Sequence, residues 1–539
     1  MIVTFSYRSN DTGHKLGSAL EEIFPGTKCR TVQHSQDSLF EYSFHINDYS
    51  CIFNLNPLMV VQRFLDEPQH LPSLLEAARI PFVSPAPDTG RGRINYSVMV
   101  YGRRCFVISQ MTGSDIRTRR WLNEKSVPRI AEIAKNALYA TGLDFAEVTI
   151  VGMGGRHRVT TVQPSPELNA KTIKRLCQLI ASDMEGRARE LQRDLRLGAD
   201  PEFMLANKSN GKMIPASYLF PHDGLVGCDS LRVPNRQQRP IAEIRPRPSA
   251  SPFNLFENIR SALQTAQRMA PYHNIKWIAG SEPFTGYYTG GHIHFSPLKA
   301  NLQLLRALDN YVAVPLLMME TPERARARRK KYGMLGDCRD KNHGGFEYRT
   351  PASWLYDEEL CLAALCLAKV VSKHYPELTA NLFIDPQAWG DFYHCNKSAF
   401  TSHLINLWKD LRATSSYELY NTEIDRYMTN IVNGRGAEEN SDVKAAWRIG
   451  GGGIYRNTNY ENRYNRNLTG SINQSNVYDI INGNYGANQR IRRAPAGTGR
   501  VSNVTPQRRT TARRNVSRRG NGANTQVRTP RRINRQYYM

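Results

Sequence analysis

Cysteine is sparse and unpatterned in this chain of 539 residues: nine thiols, no C-x-x-C pair and no zinc-like spacing. A disulfide framework and a cysteine-rich zinc module are therefore excluded, and a reducing, cytoplasmic setting is expected. Long apolar runs are also missing. No uninterrupted stretch approaches the ~18 residues that a membrane helix needs. The N-terminus MIVTFSYRSNDTG lacks the charged and then apolar regions of an export signal. No membrane partner is expected. Acids are nearly absent from Arg448 onward, where 18 arginines stand with no lysine and only Glu461 and Asp479. Most of the net charge of +24 is therefore in this tail. A segment so poor in aliphatic clusters buries too little apolar surface to offset its ordering entropy, so 448–539 is expected to be a disordered basic extension. Its arginines are interleaved with Tyr455, Tyr460, Tyr464, Tyr537 and Tyr538. That mixture suits sequence-independent contact with nucleic acid; the plainer reading is a solubilising tail.

The rest of the chain can build cores, since 40% of all residues are hydrophobic. Over 376–447, SHLINLWKDL and ELYNTEIDRYMTNIV carry apolar residues at helical spacing with charges between them, which predicts helices packed on the main body. Upstream, about 190–375, short alternating strands mix with longer helices. One of these spans Pro252 to Met269 and opens on Ser251-Pro252 as cap and first turn. The pattern predicts an α+β fold with an antiparallel sheet. No solenoid repeat or heptad run is present.

Four strand-like segments share one parity. In GADPEF, Asp200 and Glu202 fall on one side and Ala199, Pro201 and Phe203 on the other. In AEIRPRP, Glu243, Arg245 and Arg247 oppose Ala242 and Ile244; in GGHIHFS, His292 and His294 oppose Ile293 and Phe295; in GFEYRT, Glu347 and Arg349 oppose Phe346 and Tyr348. A single strand of this kind is an ordinary solvated face. Four of them place acids, imidazoles and guanidiniums on one side of a sheet and leave an apolar reverse side for helices to cover. Carboxylates and neutral imidazoles are ligands for magnesium or manganese, and arginines recognise phosphate or carboxylate in bidentate fashion. The combination suits phosphoryl transfer. A basic run, RARARRKKYGMLGDCRDKNHGG, leads into the Glu347 strand. Arg324 and Arg326 suit a solvated helix face. Arg328, Arg329 and Arg339, punctuated by Gly333, Gly336 and Gly344-Gly345, suggest a loop that contacts phosphate.

The ordered set GADPEF, AEIRPRP, GGHIHFS, RRKKYGMLGDCR and GFEYRTPASWL, from Gly198 to Trp354, resembles the bacteriophage carboxylate–amine ligases of type 2, within the glutamate–cysteine ligase and glutamine synthetase superfamily. The resemblance implies ATP-dependent amide or peptide-like bond formation through an acyl phosphate, from small-molecule or peptide carboxylates and amines. Carried over by position, Glu202, Glu243, His292 or His294, and Glu347 would hold Mg2+ or Mn2+, with Asp200 a ligand or a partner of one. Arg245, Arg339 and Arg349 would face phosphate or the substrate carboxylate, and Arg328 and Arg329 would join Arg245 and Arg339 around ATP. The implied fold is an antiparallel sheet of glutamine synthetase or glutamate–cysteine ligase type with helices on one face.

Further upstream, INYSVMVYGRRCFVISQ and ALYATGLDFAEVTIVGMGGRHRVTTVQPSPELN resemble the C-terminal half of ATP-grasp ligases. Where that family binds magnesium through acids and an asparagine, this chain has Thr149, Thr161 and Gln163. The expected organisation is a degenerate α/β ATP-grasp-like domain (1–185), a ligase domain (190–375), a helical extension (376–447) and the basic tail (448–539). Two function classes follow. One is a phage-encoded ligase acting in the host cytoplasm. The alternative is a non-catalytic protein, associated with virions or nucleic acid, that keeps the ligase fold. The sequence leaves the substrates and the oligomeric state open.

Overall fold

The computed structural model describes residues 1–449 apart from 35–36, 48–49, 86–92, 114, 343 and 437. The expected disordered tail and its nucleic-acid contacts lie outside the described residues, except for Arg448 and Ile449. Two sheets form before position 190. In the first, strands β1 (Ile2–Arg8), β2 (Lys28–His34), β3 (Asp37–His45) and β4 (Ile52–Leu55) run in the order β2-β3-β1-β4, with β1 and β4 parallel. In the second, β5 (Ile94–Tyr101), β6 (Arg104–Thr112), β7 (Arg120–Leu122), β8 (Phe145–Met153) and β9 (Arg156–Gln163) form an antiparallel sheet ordered β7-β6-β5-β8-β9. The helix Pro128–Ala140 packs on it through Ile130, Ala131, Ala134, Ala137 and Leu138. The helix Ala170–Leu191, capped by the Asn169 side chain, then carries the chain to the next sheets.

Two antiparallel sheets follow. Strands β10 (Arg196–Ala199), β11 (Glu202–Asn207), β12 (Met213–Ile214), β13 (Val226–Cys228), β14 (Ile241–Ile244), β15 (Ile275–Ile278), β16 (Ile293–Ser296), β17 (Cys338–Asp340) and β18 (Phe346–Tyr348) divide between them. One sheet is ordered β10-β16-β18-β17; the other is β12-β11-β14-β13, with β15 also paired to β11. Pro201 has no N–H, yet the backbone stays tied across the break. Asp200 N donates to His292 O at 3.3 Å and Glu202 N to Gly290 O at 3.0 Å.

The predicted parity holds on the apolar side. Phe203, Ala242, Ile244, Ile293, Phe295, Phe346 and Tyr348 are buried in one core cluster, and the rings of Phe295 and Phe346 stack 5.0 Å apart. The helices Pro252–Met269 and Glu358–His374 pack together behind these strands. Ser251 caps the first, its hydroxyl accepting from Asn254 N. The expected extension is helical, with Lys397–Arg412 and Asn421–Val432 packed around buried Trp408. On the acidic side the parity changes character along β11. Met204 and Ala206 join Ile241 and Ile278 in a small second apolar cluster, so only the start of that strand carries acids toward the site.

Candidate carboxylate and histidine site

Strand register assembles the site. Gly198 stands opposite His294, His294 opposite Glu347, and Glu347 opposite Arg339, so one row crosses β10, β16, β18 and β17. Asp200, one strand period beyond Gly198, reaches into that row: its Oδ1 lies 3.0 Å from His294 Nε2 and 3.3 Å from His292 Nδ1. His292 Nδ1 is also 3.4 Å from Glu347 Oε1. Beside it, Glu202 stands opposite Glu243 in the β11–β14 ladder. Glu202 accepts from Gly290 N at 2.8 Å, while its main-chain carbonyl accepts from the Ser353 hydroxyl at 2.6 Å.

The acids divide electrostatically. Burial alone would raise Asp200, but the flanking imidazoles of His292 and His294 overcome it and hold the carboxyl well below its usual range. Burial opposes ionisation of Glu347 too, and His292 and the Lys341 ammonium bring it below the usual range. Glu202 is pushed well up, by burial first and then by Asp229, Glu243 and Asp200. Burial and the charge of Asp200 push Glu243 up to about 8 against the pull of Arg245.

Asp200, His294 and Glu347 each offer one ligand atom, and these atoms all lie within 4.8 Å of one another. Asp200 Oδ1, His294 Nε2 and Glu347 Oε2 are buried without a well-directed hydrogen bond. The close approach of Asp200 to His294 is thus a charge–imidazole contact. Two hard carboxylate oxygens and one imidazole nitrogen form a donor set that fits a divalent cation such as magnesium or manganese. His294 belongs to this set, while His292 bridges Asp200 and Glu347 from its Nδ1.

The basic residues have separate placements. Arg349 Nε lies 3.2 Å from Glu347 Oε1, and Arg339, whose side chain is 57% exposed, comes within 3.8 Å of Glu347 Oε2. Arg245 pairs with Glu243 and donates to the carbonyls of His222, Gly224 and Cys228, which fixes that loop beside the acid. Arg328 and Arg329 depart from the phosphate-contacting role expected of them. Both are buried. Arg328 donates to the carbonyls of Arg349, Thr350 and Pro351, and burial pushes its guanidinium down to about 10. Arg329 pairs with Glu320 at 2.7 Å and lies over the Phe392 ring. Gly333 and Gly336 take positive φ and face Arg328 and the Tyr139 ring, so packing rather than ligand approach requires them.

Sequence reasoning missed Lys341, whose ammonium lies 2.5 Å from Glu347 Oε2. Its signal was available, because Arg339 and Lys341 share strand parity in CRDK. Asp229, which raises Glu202 and Glu243, was also missed; it lies in a loop with no strand alternation to reveal it.

Residues 197–449 match the family described as phage phiEco32-like COOH.NH2 ligase, type 2. The matched segment is similar to carboxylate–amine ligases and contains every site residue described above. No curated protein matches the chain. Among solved structures, the chain is similar to the macrocyclase MdnB from Microcystis aeruginosa MRC at 10% identity, a likeness that covers 33% of this chain and 98% of that one. Its TM-score of 0.22 is too low to bear on fold or mechanism.

Proposed function

We propose that the chain is a phage-encoded ligase that consumes ATP with Mg2+ or Mn2+ and joins a carboxylate to an amine through an acyl phosphate. The supporting observation is the convergence of Asp200, His294 and Glu347 beside Lys341, Arg339 and Arg349. A divalent cation in that donor set would neutralise triphosphate charge and polarise the γ-phosphate. Lys341, Arg339 and Arg349 supply positive donors on the same face, suited to phosphate oxygens and to the incoming carboxylate. The carboxylate oxygen bonds to the γ-phosphorus as the bond to ADP breaks. The amine nitrogen then bonds to the acyl carbon, inorganic phosphate leaves and a proton is released. Arg245 holds Glu243 and its loop in place and adds a positive donor toward phosphate or the substrate carboxylate. The N-terminal region serves as an ATP-grasp-like shell that does not bind nucleotide at Thr149, Thr161 and Gln163. The arginines of 448–539 add a salt-sensitive, sequence-independent hold on nucleic acid.

The test is ATP consumption with Mg2+ or Mn2+ against pools of carboxylates and amines. Glu347→Gln, close in shape, should keep the fold and reduce turnover by about 100-fold or more. Lys341→Ala should reduce it by about 10- to 100-fold. Unchanged turnover in Glu347→Gln would sink the assignment.

A further inference from the structure

Asp309 is fully buried at the start of a π-helical turn, Asp309–Ala313, and its carboxylate gathers three donors, one from the N-terminal region and two from the β17–β18 hairpin. Single π-helical turns often mark functional positions. The Tyr139 hydroxyl, from the helix Pro128–Ala140 of the N-terminal region, donates to Oδ2. Gly336 N donates to the same oxygen at 2.6 Å. The Tyr348 hydroxyl donates to Oδ1 at 2.5 Å. Two of these donors lead straight to the site. Tyr348 is the chain neighbour of Glu347, its side chain on the core face of β18 while Glu347 points to the carboxylate face. Gly336 lies three residues before Arg339, which stands opposite Glu347 in the β17–β18 ladder.

The third donor brings in the N-terminal region, and it is not an isolated contact. Arg306, one turn before Asp309, is buried; it pairs with Asp144 at 3.1 Å and donates to the carbonyls of Leu138 and Leu143. Gly336 is also constrained from this side, because a Cβ there would come within 2.9 Å of the Tyr139 ring. The N-terminal region and the β17–β18 hairpin, far apart in sequence, are thus referenced to one carboxylate.

We propose that Asp309 is a positioning residue for the ligase site: it fixes Glu347 through Tyr348 and the turn into Arg339 through Gly336, and through Tyr139 it makes the N-terminal region part of the active unit. This inference rests on the reading of Asp200, His294 and Glu347 as metal ligands. Outer partners that orient ligating side chains commonly change metal affinity by about 10- to 100-fold. Tyr348→Phe, one residue from the ligand, should sit at the lower end of that range, and Tyr139→Phe, a step further out, should weaken binding about threefold.

The experiment measures Mn2+ affinity of the full chain by electron paramagnetic resonance of free Mn2+, together with thermal unfolding. The variants are Tyr139→Phe, Tyr348→Phe, Glu347→Gln and Tyr427→Phe. Tyr427 serves as the control, since its buried hydroxyl donates to Pro315 O at 2.7 Å and takes no part in the Asp309 cluster. The expected result is weaker Mn2+ binding in Tyr139→Phe and Tyr348→Phe and wild-type binding in Tyr427→Phe, even where all three lose similar thermal stability. Wild-type affinity in both Asp309-linked variants overturns the proposal, and so does an equal loss in Tyr427→Phe. If the wild-type chain binds no Mn2+, or Glu347→Gln binds it undiminished, the metal assignment itself fails and the positioning role falls with it.

Discussion

Glu202 and Glu243 face each other as a direct cross-strand pair in the β11–β14 ladder, and both carboxyls are pushed above their usual range. Raised carboxyls keep their protons near neutral pH, so the like-charge repulsion, which destabilises a sheet by up to about 1 kcal/mol, acts only under alkaline conditions. A site that concentrates acids for a cation is expected to sacrifice stability in this way. Replacing Glu202 with Gln should therefore raise the melting temperature of the metal-free chain by about 1–2 °C under alkaline conditions and leave it nearly unchanged near pH 6. The same change should diminish ATP turnover and the stabilisation given by Mg2+ with ATP. Thermal unfolding with and without these ligands checks both halves; a lower melting temperature in the metal-free state would contradict the repulsion.

The two ends of the basic run should respond in opposite ways. Arg328 is buried against three main-chain carbonyls, so Arg328→Met leaves those acceptors unsatisfied and should cost about 3 kcal/mol or more of stability. Arg339 is largely exposed, and Arg339→Ala should shift stability by less than about 0.5 kcal/mol while reducing ATP turnover. Urea unfolding beside an ATPase assay separates the two. A stable Arg328→Met chain with poor turnover would restore Arg328 to the phosphate site.

This contrast marks how far the sequence could be read. The parity of GADPEF, AEIRPRP, GGHIHFS and GFEYRT was legible because strand alternation is local, and it put Asp200, His292, His294 and Glu347 on one face; that Glu202 and Glu243 pair in a second sheet beside it, and not in the single sheet expected, was not legible. The Ser251-Pro252 helix start was legible for the same reason. The fates of Arg328 and Arg329 were not. Whether an arginine faces solvent or is buried against carbonyls depends on Arg349–Pro351 and Phe392, which are distant in sequence, and on Glu320 beyond the start of the same helix. The same limit hid Asp309, whose three donors come from positions 139, 336 and 348. Periodicity reports faces, and it does not report which distant groups meet them.

On the N-terminal sheet, Thr149 stands opposite both Ser97 and Thr161, and Glu147 stands opposite Gln163. Glu147 is the acid on the same face, and its carboxylate accepts the Ser97 hydroxyl at 2.6 Å. Neutral hydroxyls and an amide lack the carboxylate oxygens through which a protein holds a phosphate-bound magnesium ion. Changing Thr149, Thr161 and Gln163 together to Ala should leave ATP turnover within about twofold, an effect of less than about 0.5 kcal/mol on the barrier. Glu147→Gln should behave alike. A tenfold loss in either would mean that nucleotide binds on this face.

Asp309 gives the stability of the chain a pH dependence of definite sign. Burial pushes its carboxyl from 3.8 up to about 7, against the hydrogen bonds from Tyr139, Tyr348 and Gly336 that favour the charged form. The groups around it are Tyr139, Tyr348, Tyr393 and Cys338, with Arg306 acting on Tyr139. Because the folded-state value lies above the unfolded one, the native state holds the proton more tightly. The stability this contributes is complete below about pH 4 and is lost as pH rises through about 7. Three units correspond to at most about 4 kcal/mol. Asp309→Asn cannot titrate, so between pH 5 and 8 its stability should change less steeply than that of the wild type. Urea unfolding at several pH values checks this, and parallel curves for the two proteins would show that Asp309 is ionised throughout.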